Sequence, residues 1–497
     1  MKSATAESLG IPSKAISAFL QRILDHRLNL HSLLILRHGY LAAEGYWAPF
    51  KRDRKHRLYS ISKSFTSLAV GLMIDRGLLS LDDKVIQFFP EKCPPNPHPW
   101  LAAATVRDML MMADCHDFPT HKFEDPDWIA TWFDTPPSHM PGQIFSYNTT
   151  CSNLLCAIVE KLAGMKFLEY MRPLFDVLGV SSDIYCIETP EAYSFGGSGV
   201  IATPRDLAKV ALLCLNEGCY DGQQLISRDY IRQATARQID NYIDHSAGEN
   251  DIEHQQGYGY QIWRTRNNGF CFYGMGCQLA IGLPDKDLLI VTTGDTQGTS
   301  PDTSELMSAL WETLYHEIKN EPLAEDMSAH KELEKQLAKL SLPVAEGKLS
   351  SPLLPSIKAK TYFMEENAMG IQQFRFDFHE DRVDMAYIKK DRKYEITFGL
   401  GYNIAGIFPE VYSAKRINTK RSTGYETHSS AAWRDDNTLL LICYITDDYF
   451  GSLKINASFS QDSLTVLMKK RAESFLDNYH GFASGTTIIL PSHKRFL

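Results

Sequence analysis

The chain has 497 residues, more than a single hydrophobic core usually serves, so at least two domains are expected. Apolar residues make up 44% of it and charged residues 22%, which is typical of a folded globular protein and excludes a disordered or collagen-like one. A net charge of -9 at pH 7 argues against a dedicated nucleic-acid-binding protein. We therefore expect no nucleic-acid partner.

The N-terminal segment MKSATAESLGIPSK lacks the apolar core of a signal peptide, and no stretch approaches the roughly 20 apolar residues of a membrane span. The expected location is therefore cytoplasmic, with no membrane partner. The 10 cysteines include no Cys-x-x-Cys pair and no Cys/His cluster, so they are expected to be reduced and mostly buried. The sequence implies neither a metal ion nor a cofactor.

The N-terminal part predicts a helix, a strand hairpin and a second helix. Apolar side chains recur at helical spacing in residues 15–26, and residues 32–47 predict two strands around a turn at His38. A basic stretch, KRDRKHR, leads into SISKSFTSLAVGLMIDRG, whose apolar residues follow a helical period until Gly77. Ser60 therefore lies at the N-terminus of this second helix.

Residues 81–220 predict a mainly helical subdomain, interrupted by Pro-rich loops such as CPPNPHPW. Strand character returns in GYGYQIW, FCFYGMGCQLAIGLP and DLLIVTTGD, and an amphipathic helix follows over residues 304–318. Strand hairpins flanked by helices indicate an α+β layer. We assign residues 1–322 to this first domain.

Residues 323–352 are charged and then Ser/Pro-rich, the composition expected of a connection between domains. Beyond them, residues 353–497 contain segments in which apolar and polar residues alternate, such as IQQFRFDF, RVDMAYI, TLLLICYI and SLTVLMKK. This alternation predicts antiparallel strands that form a barrel or a sandwich. The expected fold class is α+β, followed by this antiparallel β domain.

Ser60-Ile61-Ser62-Lys63 places a hydroxyl and an amine on one face of a helix. A serine hydroxyl is a weak nucleophile at neutral pH and needs a nearby base. Because residues i and i+3 share a helix face, the Lys63 amine can approach Ser60 Oγ, and partial burial would lower its pKa. The Ser60 backbone N–H, at the helix N-terminus, is a candidate oxyanion donor.

A second Ser-x-x-Lys motif, from Ser328 to Lys331, shows that the spacing alone is a weak signal. This copy lies in a charged segment, whereas Ser60 follows a strand hairpin and opens an apolar helix. We interpret the second copy as coincidental. On propensity alone, Ser60 would be an ordinary helix cap and Lys63 a solvated side chain.

The segment YSISKSFTSLAVGLMIDRGLLSLDDKV resembles the nucleophile helix of the class C β-lactamase-like serine hydrolases, whose relatives include penicillin-binding peptidases, family VIII carboxylesterases and 6-aminohexanoate-dimer hydrolases. Four further segments resemble the family in the same order: ATVRDMLMMAD, PGQIFSYNTTCSNLLCAIVEKLAG, GGSGVIATPRDLAKVALLCLNEG and FYGMGCQLAIGLPDKDLLIVTTGD. The resemblance covers residues 10–320 and implies a β-lactamase-like first domain, with Ser60 as nucleophile and Lys63 as its base.

The family's Tyr-x-Asn motif corresponds to Tyr147-Asn148-Thr149. The resemblance gives Tyr147 an acid/base role in which its phenol passes a proton to the leaving group. Thr149 stands where the family has an asparagine. Its hydroxyl is a candidate contact for a substrate carbonyl, but the amide donor is missing, which disfavours β-lactam recognition.

The family's Lys-Thr-Gly or His-x-Gly motif corresponds to Met275-Gly276-Cys277, a further candidate substrate-binding set. Met275 carries no positive charge, so a neutral ester or amide is expected in preference to a carboxylate-bearing substrate. The backbone N–H of Gln278 is expected to be the second oxyanion donor. Any side chain should serve there, because only the backbone acts.

The resemblance thus implies a serine hydrolase that cleaves an ester, amide or peptide bond through a Ser60 acyl-enzyme, with Lys63 and Tyr147 as acid/base groups. A β-lactamase or penicillin-binding-type peptidase is an alternative on the same fold. A non-catalytic binding protein is another, suggested by the departures at Thr149 and Met275. The substrate, the oligomeric state and the role of the C-terminal domain stay open at this point.

Overall fold

The computed structural model of the protein describes residues 1–241, 252–296, 303–410, 424–471 and 479–488. The chain divides into two compact units, Met1–Ser341 and Leu342–Leu497. This division falls within the segment 323–352, which the sequence analysis assigned to a connection. The larger part of that segment lies in the first unit, because it contains a helix that packs against the N-terminal helix.

The first unit combines helices with short and long strands. Its helices are α1 (Ser13–Asp25), α2 (Ile61–Asp75), α3 (Pro99–Ala103), α4 (Val106–Leu110), α5 (Trp128–Asp134), α6 (Thr149–Ala163), α7 (Phe167–Tyr170), α8 (Arg172–Leu178), α9 (Pro204–Leu215), α10 (Arg228–Thr235), α11 (Thr303–Ala309) and α12 (Met327–Ala338). None of the helices in the described part of the chain is both long and apolar enough to cross a bilayer.

The strands of the first unit are β1 (Leu30–Arg37), β2 (Tyr40–Tyr46), β3 (His56–Arg57), β4 (Tyr185–Cys186), β5 (Val200–Ala202), β6 (Cys219–Tyr220), β7 (Gln223–Gln224), β8 (Trp263–Arg264), β9 (Phe270–Gly274), β10 (Gln278–Leu283) and β11 (Leu288–Gly294). Among the described residues, six of them form an antiparallel sheet in the order β2-β1-β11-β10-β9-β8. The expected α+β fold, with an antiparallel sheet flanked by helices, is confirmed.

The centre of this sheet is the core of the first unit. Strands β1, β10 and β11 are buried along their whole lengths. A strand that is buried on both faces needs a cover on both, and its sequence is then continuously apolar. Helix α9 packs on all three strands. The apolar runs of β10 and β11 are therefore a consequence of their central place.

A short strand directs the chain into helix α2, at whose start Ser60 lies. His56 and Arg57 of β3 pair with Ala202 and Ile201 of β5, which fixes the direction in which the chain enters the helix. Helix α2 is buried from Ile61 to Met73 and packs against α6 and β9. A helix that is apolar on all sides belongs in the interior. Ser60 is thus held by a central helix that has little freedom to move.

Two predicted elements differ from the structure. The segment GYGYQIW at 257–263 was expected as a strand, but only Trp263 and Arg264 are extended. Gln261 has φ = 59°, in the left-handed region, and its N–H donates to the Leu110 carbonyl at 2.8 Å, so the segment bends. The helix expected over 304–318 is α-helical only over Thr303–Ala309 and continues as π and 3₁₀ turns.

The second unit is a β barrel preceded by a short helix, α13 (Leu354–Ile357). Its strands are β12 (Thr361–Met364), β13 (Ile371–Phe378), β14 (Arg382–Lys389), β15 (Arg392–Leu400), β16 (Ile404–Ile407), β17 (Glu426–Trp433), β18 (Thr438–Thr446), β19 (Phe450–Phe459), β20 (Ser463–Arg471) and β21 (His480–Thr486). In the described ranges, nine strands close into a ring because β15 pairs with β17, and β16 adds to β17 outside the ring. The alternative of a sandwich is thereby removed.

Two histidines form a buried contact beneath the entry to α2. His31 Nδ1 lies 3.0 Å from His56 Nε2, and the His31 ring stacks on Phe50 at a centroid distance of 3.8 Å. Burial lowers the pKa of His56 to about 3 and holds the pKa of His31 well below its ordinary value. The His56 imidazole is therefore neutral in the folded protein at pH 5, whereas it binds a proton in the unfolded chain.

The folded protein should therefore lose stability as the pH falls below about 6.5. Between about pH 7 and 5, the neutral His56 costs about 2 kcal/mol of unfolding free energy. We expect His56→Gln to show a shallower loss of stability over this range than the wild type, measured by urea unfolding at both pH values. His316→Gln, at an exposed position, should keep the wild-type pH dependence. An equal pH dependence in all three proteins would contradict the prediction.

Candidate active site

A tight turn at the start of α2 presents the hydroxyl of Ser60. Tyr59, directly before it, has φ = 49°, in the left-handed region that non-glycine residues seldom adopt. The half-buried Ser60 makes no side-chain capping bond to the helix. None of the described residues accepts a hydrogen bond from its N–H. Its hydroxyl and its backbone N–H therefore both remain available to a substrate.

The Lys63 amine lies next to this hydroxyl and is almost completely buried, with 1% of its surface exposed. Its Nζ is 3.0 Å from Ser60 Oγ and donates to the Gly197 carbonyl at 2.7 Å. Burial, with a smaller contribution from the charge of Arg57, lowers the pKa of Lys63 to about 7. A large fraction of the amine is therefore neutral at neutral pH and able to accept a proton.

The Gly196-Gly197 turn, which supplies the acceptor for Lys63, packs tightly on α6. A Cβ added to Gly197 would lie 2.5 Å from the Thr149 methyl group, so only glycine fits. The Gly197 N–H donates to Asn153 Oδ1 at 3.1 Å, and the Gly196 carbonyl accepts from Thr66 Oγ1 at 3.0 Å. Thr149 thus borders the Lys63 acceptor, and Asn153 and Thr66 hold the Gly196–Gly197 peptide that directly precedes it.

Tyr147 lies beside the Ser60–Lys63 pair, on the loop that precedes α6. The centroid of its ring is 5.0 Å from Lys63 Nζ. The ring also packs against Trp263 and Tyr258, at centroid distances of 5.4 and 6.3 Å. The structure therefore brings together the hydroxyl, the amine and the phenol that the sequence analysis selected.

A buried carboxylate anchors the loop that carries Tyr147. Asp114 is wholly buried and accepts hydrogen bonds from Trp132 Nε1 at 3.1 Å and from Asn148 Nδ2 at 3.3 Å. The Asn148 carbonyl oxygen Oδ1 in turn caps α6 by accepting from the Thr150 N–H at 2.9 Å. The sequence analysis did not select Asp114. The sequence does contain a signal for it, since Asp114 is the only charged residue in the apolar segment LMMADC. A charged residue in a buried segment is expected to have hydrogen-bond partners.

The hairpin between β9 and β10 contains the other predicted substrate-binding residues. Met275 is half-buried at its tip, whereas Gly276, Cys277 and Gln278 are buried. A Cβ added to Gly274 would collide with the Leu58 carbonyl, so the hairpin lies directly against the segment that leads to Ser60. Met275 is therefore the residue of this turn that is partly accessible.

His121 belongs to the same side of the site, although the sequence analysis did not select it. Its ring stacks on Trp128 at 4.2 Å, and Trp128 packs edge-on against Phe195, which directly precedes the Gly196-Gly197 turn. Its Nδ1 lies 3.0 Å from the hydroxyl oxygen of Thr150. Burial lowers the pKa of His121 to about 4, and the nearby charge of Lys63 acts in the same direction. The imidazole is therefore neutral at neutral pH.

A chain of hydroxyl groups lies next to His121. Thr131 donates to the Trp128 carbonyl at 2.7 Å, so its oxygen accepts from the Thr120 hydroxyl at 3.0 Å. The Thr150 oxygen accepts from the Thr120 backbone N–H at 3.0 Å and lies at the same distance from His121 Nδ1. No local sequence pattern marks this contact, since Thr150 is 29 residues away.

The second Ser-x-x-Lys motif has different surroundings. Ser328 and Lys331 both lie exposed on α12. The structure thus provides at Lys63 the burial that Lys331 lacks.

An antiparallel sheet flanked by helices, with Ser60 and Lys63 at the start of its buried helix, defines the class of β-lactamase-fold serine hydrolases. Residues 17–313 match the family model described as Beta-lactamase, and the chain belongs to this family. The resemblance inferred from the sequence is confirmed.

Two curated relatives align with parts of the chain. A 6-aminohexanoate-dimer hydrolase from Paenarthrobacter ureafaciens is 27% identical over an alignment of 249 positions, and the match covers 45% of this chain and 63% of that enzyme. Penicillin-binding protein 4* from Bacillus subtilis (strain 168) is 25% identical over an alignment of 145 positions, and the match covers 25% of this chain and 29% of that protein. The chain therefore spans less than two thirds of the length of each of these relatives.

Solved structures share the fold at low sequence identity. A penicillin-binding protein homologue from Caulobacter crescentus matches 63% of this chain and 99% of its own chain, with a TM-score of 0.51 and 17% identity. A likeness at this level shows the common fold of the first unit and no more.

Removal of the Asp114 carboxylate should destabilise the site. In Asp114→Ala, the buried donors of Trp132 and Asn148 lose their acceptor, so we expect a loss of about 3 kcal/mol in the free energy of unfolding. Urea unfolding of the full chain measures this loss. Asp117→Ala is the matched control, because Asp117 is an exposed neighbour and should cost little. Equal stabilities of the two variants would contradict the role assigned to Asp114.

Proposed function

We propose that the protein hydrolyses a small ester or amide through an acyl-enzyme on Ser60, with Lys63 and Tyr147 as the acid/base groups. The observation that carries this proposal is the Lys63 amine, which lies 3.0 Å from Ser60 Oγ and has a pKa lowered to about 7. A hydroxyl becomes a useful nucleophile when a neutral base at this distance accepts its proton during attack.

In the first stage, Ser60 Oγ forms a bond to the substrate carbonyl carbon while its proton passes to Lys63 Nζ. The carbonyl oxygen becomes an oxyanion, which the backbone N–H groups of Ser60 and Gln278 stabilise. The bond to the leaving group then breaks. The proton held by Lys63 reaches the departing alcohol or amine through the phenol of Tyr147, whose ring lies 5.0 Å from the amine.

In the second stage, water attacks the acyl-enzyme. The water proton passes to the Tyr147–Lys63 pair, and Ser60 Oγ leaves with a proton as the acid is released. The same two groups thus act as base in each attack and as acid in each departure, which requires a pKa near the working pH. The lowered pKa of Lys63 meets this requirement.

The surroundings favour a neutral substrate. Met275 offers an apolar side chain where a cation would attract a carboxylate. In the basic stretch before Ser60, Arg52 pairs with Glu44 at 3.4 Å and Lys55 with Asp183 at 3.0 Å, which compensates the charges of these two residues. Burial also keeps the nearby His121 imidazole neutral. A neutral ester or amide is the substrate that fits these side chains.

The name of one relative supports a hydrolytic reaction. The enzyme from Paenarthrobacter ureafaciens is named a hydrolase of the 6-aminohexanoate dimer. We propose hydrolysis as the reaction class of this chain as well, but we do not propose that it acts on the same substrate.

Covalent labelling tests the nucleophile. Ser60→Ala should abolish labelling by a fluorophosphonate and hydrolysis of activated esters, because it removes the attacking oxygen. Ser328→Ala is the matched control from the second Ser-x-x-Lys motif and should label like the wild type. Mass spectrometry of the labelled protein identifies the modified residue. Undiminished labelling of Ser60→Ala would exclude Ser60 as the nucleophile.

The pH dependence of acylation tests the base. Only the neutral form of Lys63 accepts a proton, so the acylation rate should rise about tenfold per pH unit below about pH 7 and level off above it. The lowered pKa sets this position; an amine at its ordinary pKa would place the rise near pH 10. Stopped-flow acylation by a p-nitrophenyl ester between about pH 5.5 and 8.5 measures the profile. Lys63→Arg, permanently charged, should be slower by about 100-fold or more. A flat wild-type profile would count against Lys63.

A further inference from the structure

We propose that Gln278 is a positioning residue, whose side-chain amide fixes the Met275–Cys277 turn so that its backbone N–H groups face the reacting carbonyl. The inference rests on the acyl transfer proposed above and goes beyond it. In that proposal Gln278 contributes its backbone alone, and its side chain is interchangeable. The structure gives the side chain a task of its own.

The amide of Gln278 holds the hairpin together from within. Its Nε2 donates to the carbonyls of Met275 at 3.0 Å, Gly276 at 3.2 Å and Gly294 at 2.7 Å. Its Oε1 accepts from the Gly294 N–H at 3.2 Å. The two amide protons are thus shared among three carbonyls, two of them in the turn and one at the end of β11. Gln278 has no exposed surface, so the side chain acts on the turn and not on a substrate.

A second anchor holds the remaining carbonyl of the turn. Thr292 Oγ1, on β11, donates to the Cys277 carbonyl at 2.8 Å. The carbonyls of Met275, Gly276 and Cys277 are therefore all fixed by side chains. Together, Gln278 and Thr292 leave these three peptide planes no freedom to rotate.

The planarity of the peptide bond turns these anchors into an orientation for the donors. In a trans peptide the C=O of one residue and the N–H of the next point in opposite directions. With the Met275 and Cys277 carbonyls tied inward, the N–H groups of Gly276 and Gln278 face away from the anchors. The hairpin lies against Leu58, since a Cβ on Gly274 would collide with the Leu58 carbonyl. Donors on this turn are thus available to a carbonyl group bound at Ser60.

The backbone of the turn shows why such anchors are needed. Gly276 has φ = 80°, and Cys277 has φ = 67°, in the left-handed region that is unfavourable for a side chain with a Cβ. A non-glycine residue persists there only where its surroundings determine it. The Gln278 amide and the Thr292 hydroxyl hold the carbonyls of this turn, while the Cys277 side chain contacts the hydroxyl groups of Thr296 and Thr303.

Loss of either anchor should therefore weaken the oxyanion interaction. In Gln278→Met and Thr292→Val, the acylation rate with a neutral ester should fall about 100-fold, the loss typical of one oxyanion donor. KM should change by no more than about threefold, because the donors act mainly on the transition state. Thr292→Ser keeps the hydroxyl and should retain most of the wild-type rate.

A matched pair of oxo and thiono esters separates this role from a general loss of stability. Sulfur is a poor hydrogen-bond acceptor, so the wild type should prefer the oxo ester strongly, and the preference should collapse toward unity in Gln278→Met and Thr292→Val. Gln261→Glu is the control: Gln261 is also buried, and its Nε2 donates to the Met109 and Leu110 carbonyls. It should lower the melting temperature and keep the oxo preference.

The outcomes distinguish the two proposals. An unchanged oxo preference in both Gln278→Met and Thr292→Val would overturn the positioning role while Ser60 labelling still stands. Retained labelling of Ser60→Ala would instead defeat the acyl transfer itself. If Gln278→Met does not fold, Thr292→Val decides alone, since it removes a single hydroxyl group and conserves the shape of the side chain.

Discussion

Burial of the Lys63 amine is the constraint around which the first unit is arranged. A lysine taken out of water loses its hydration, and its charged form survives only where acceptors replace that water. Gly197 supplies one carbonyl at 2.7 Å, and Ser60 Oγ lies at 3.0 Å. The charge of Arg57, whose Nε donates to the Ser198 carbonyl at 2.8 Å, opposes a second charge nearby. Together these groups bring the neutral and the protonated form of the Lys63 amine to similar free energies at neutral pH. A group that accepts and then releases a proton needs such a balance.

Helix α6 supports this arrangement at two places, Asn148 and Asn153. Asn148 caps its N-terminus and binds Asp114, which holds the loop of Tyr147. One turn later, Asn153 accepts from the N–H of Gly197, the residue whose carbonyl binds the amine. Helix α6 packs directly on α2. The phenol, the amine and the hydroxyl are therefore positioned by two packed helices, which hold side chains more accurately than free loops do.

The site could be predicted from the sequence where its geometry is local. Ser60 and Lys63 are three positions apart on one helix, so the helical period alone brings them together. Alternation predicted the strands of the second unit, but a barrel and a sandwich share that pattern; the pairing of β15 with β17 decides between them. Asp114 was not predicted because its partners lie on other elements, and the role of the Gln278 side chain was not predicted because the period of a strand gives no sign of contacts with the adjoining turn and with Gly294. The strand predicted over 257–263 was wrong because alternation of apolar residues does not indicate that Gln261 adopts a left-handed conformation.

The two proposed oxyanion donors share a backbone feature that no composition or period reveals. Ser60 follows Tyr59 at φ = 49°, and Gln278 follows Cys277 at φ = 67°; both preceding residues are left-handed and carry side chains. Each such residue costs about 1 to 2 kcal/mol relative to the right-handed region. Tyr59 and Cys277 are almost completely buried, so packing offsets the cost. A residue in the left-handed region changes the direction of the chain sharply. The N–H of the residue that follows it, here Ser60 or Gln278, then points away from the backbone hydrogen bonds of the neighbouring helix or strand. Under the proposed mechanism, the strain at Tyr59 and Cys277 has one common explanation: each strained residue orients the N–H of the next residue toward the bound carbonyl group.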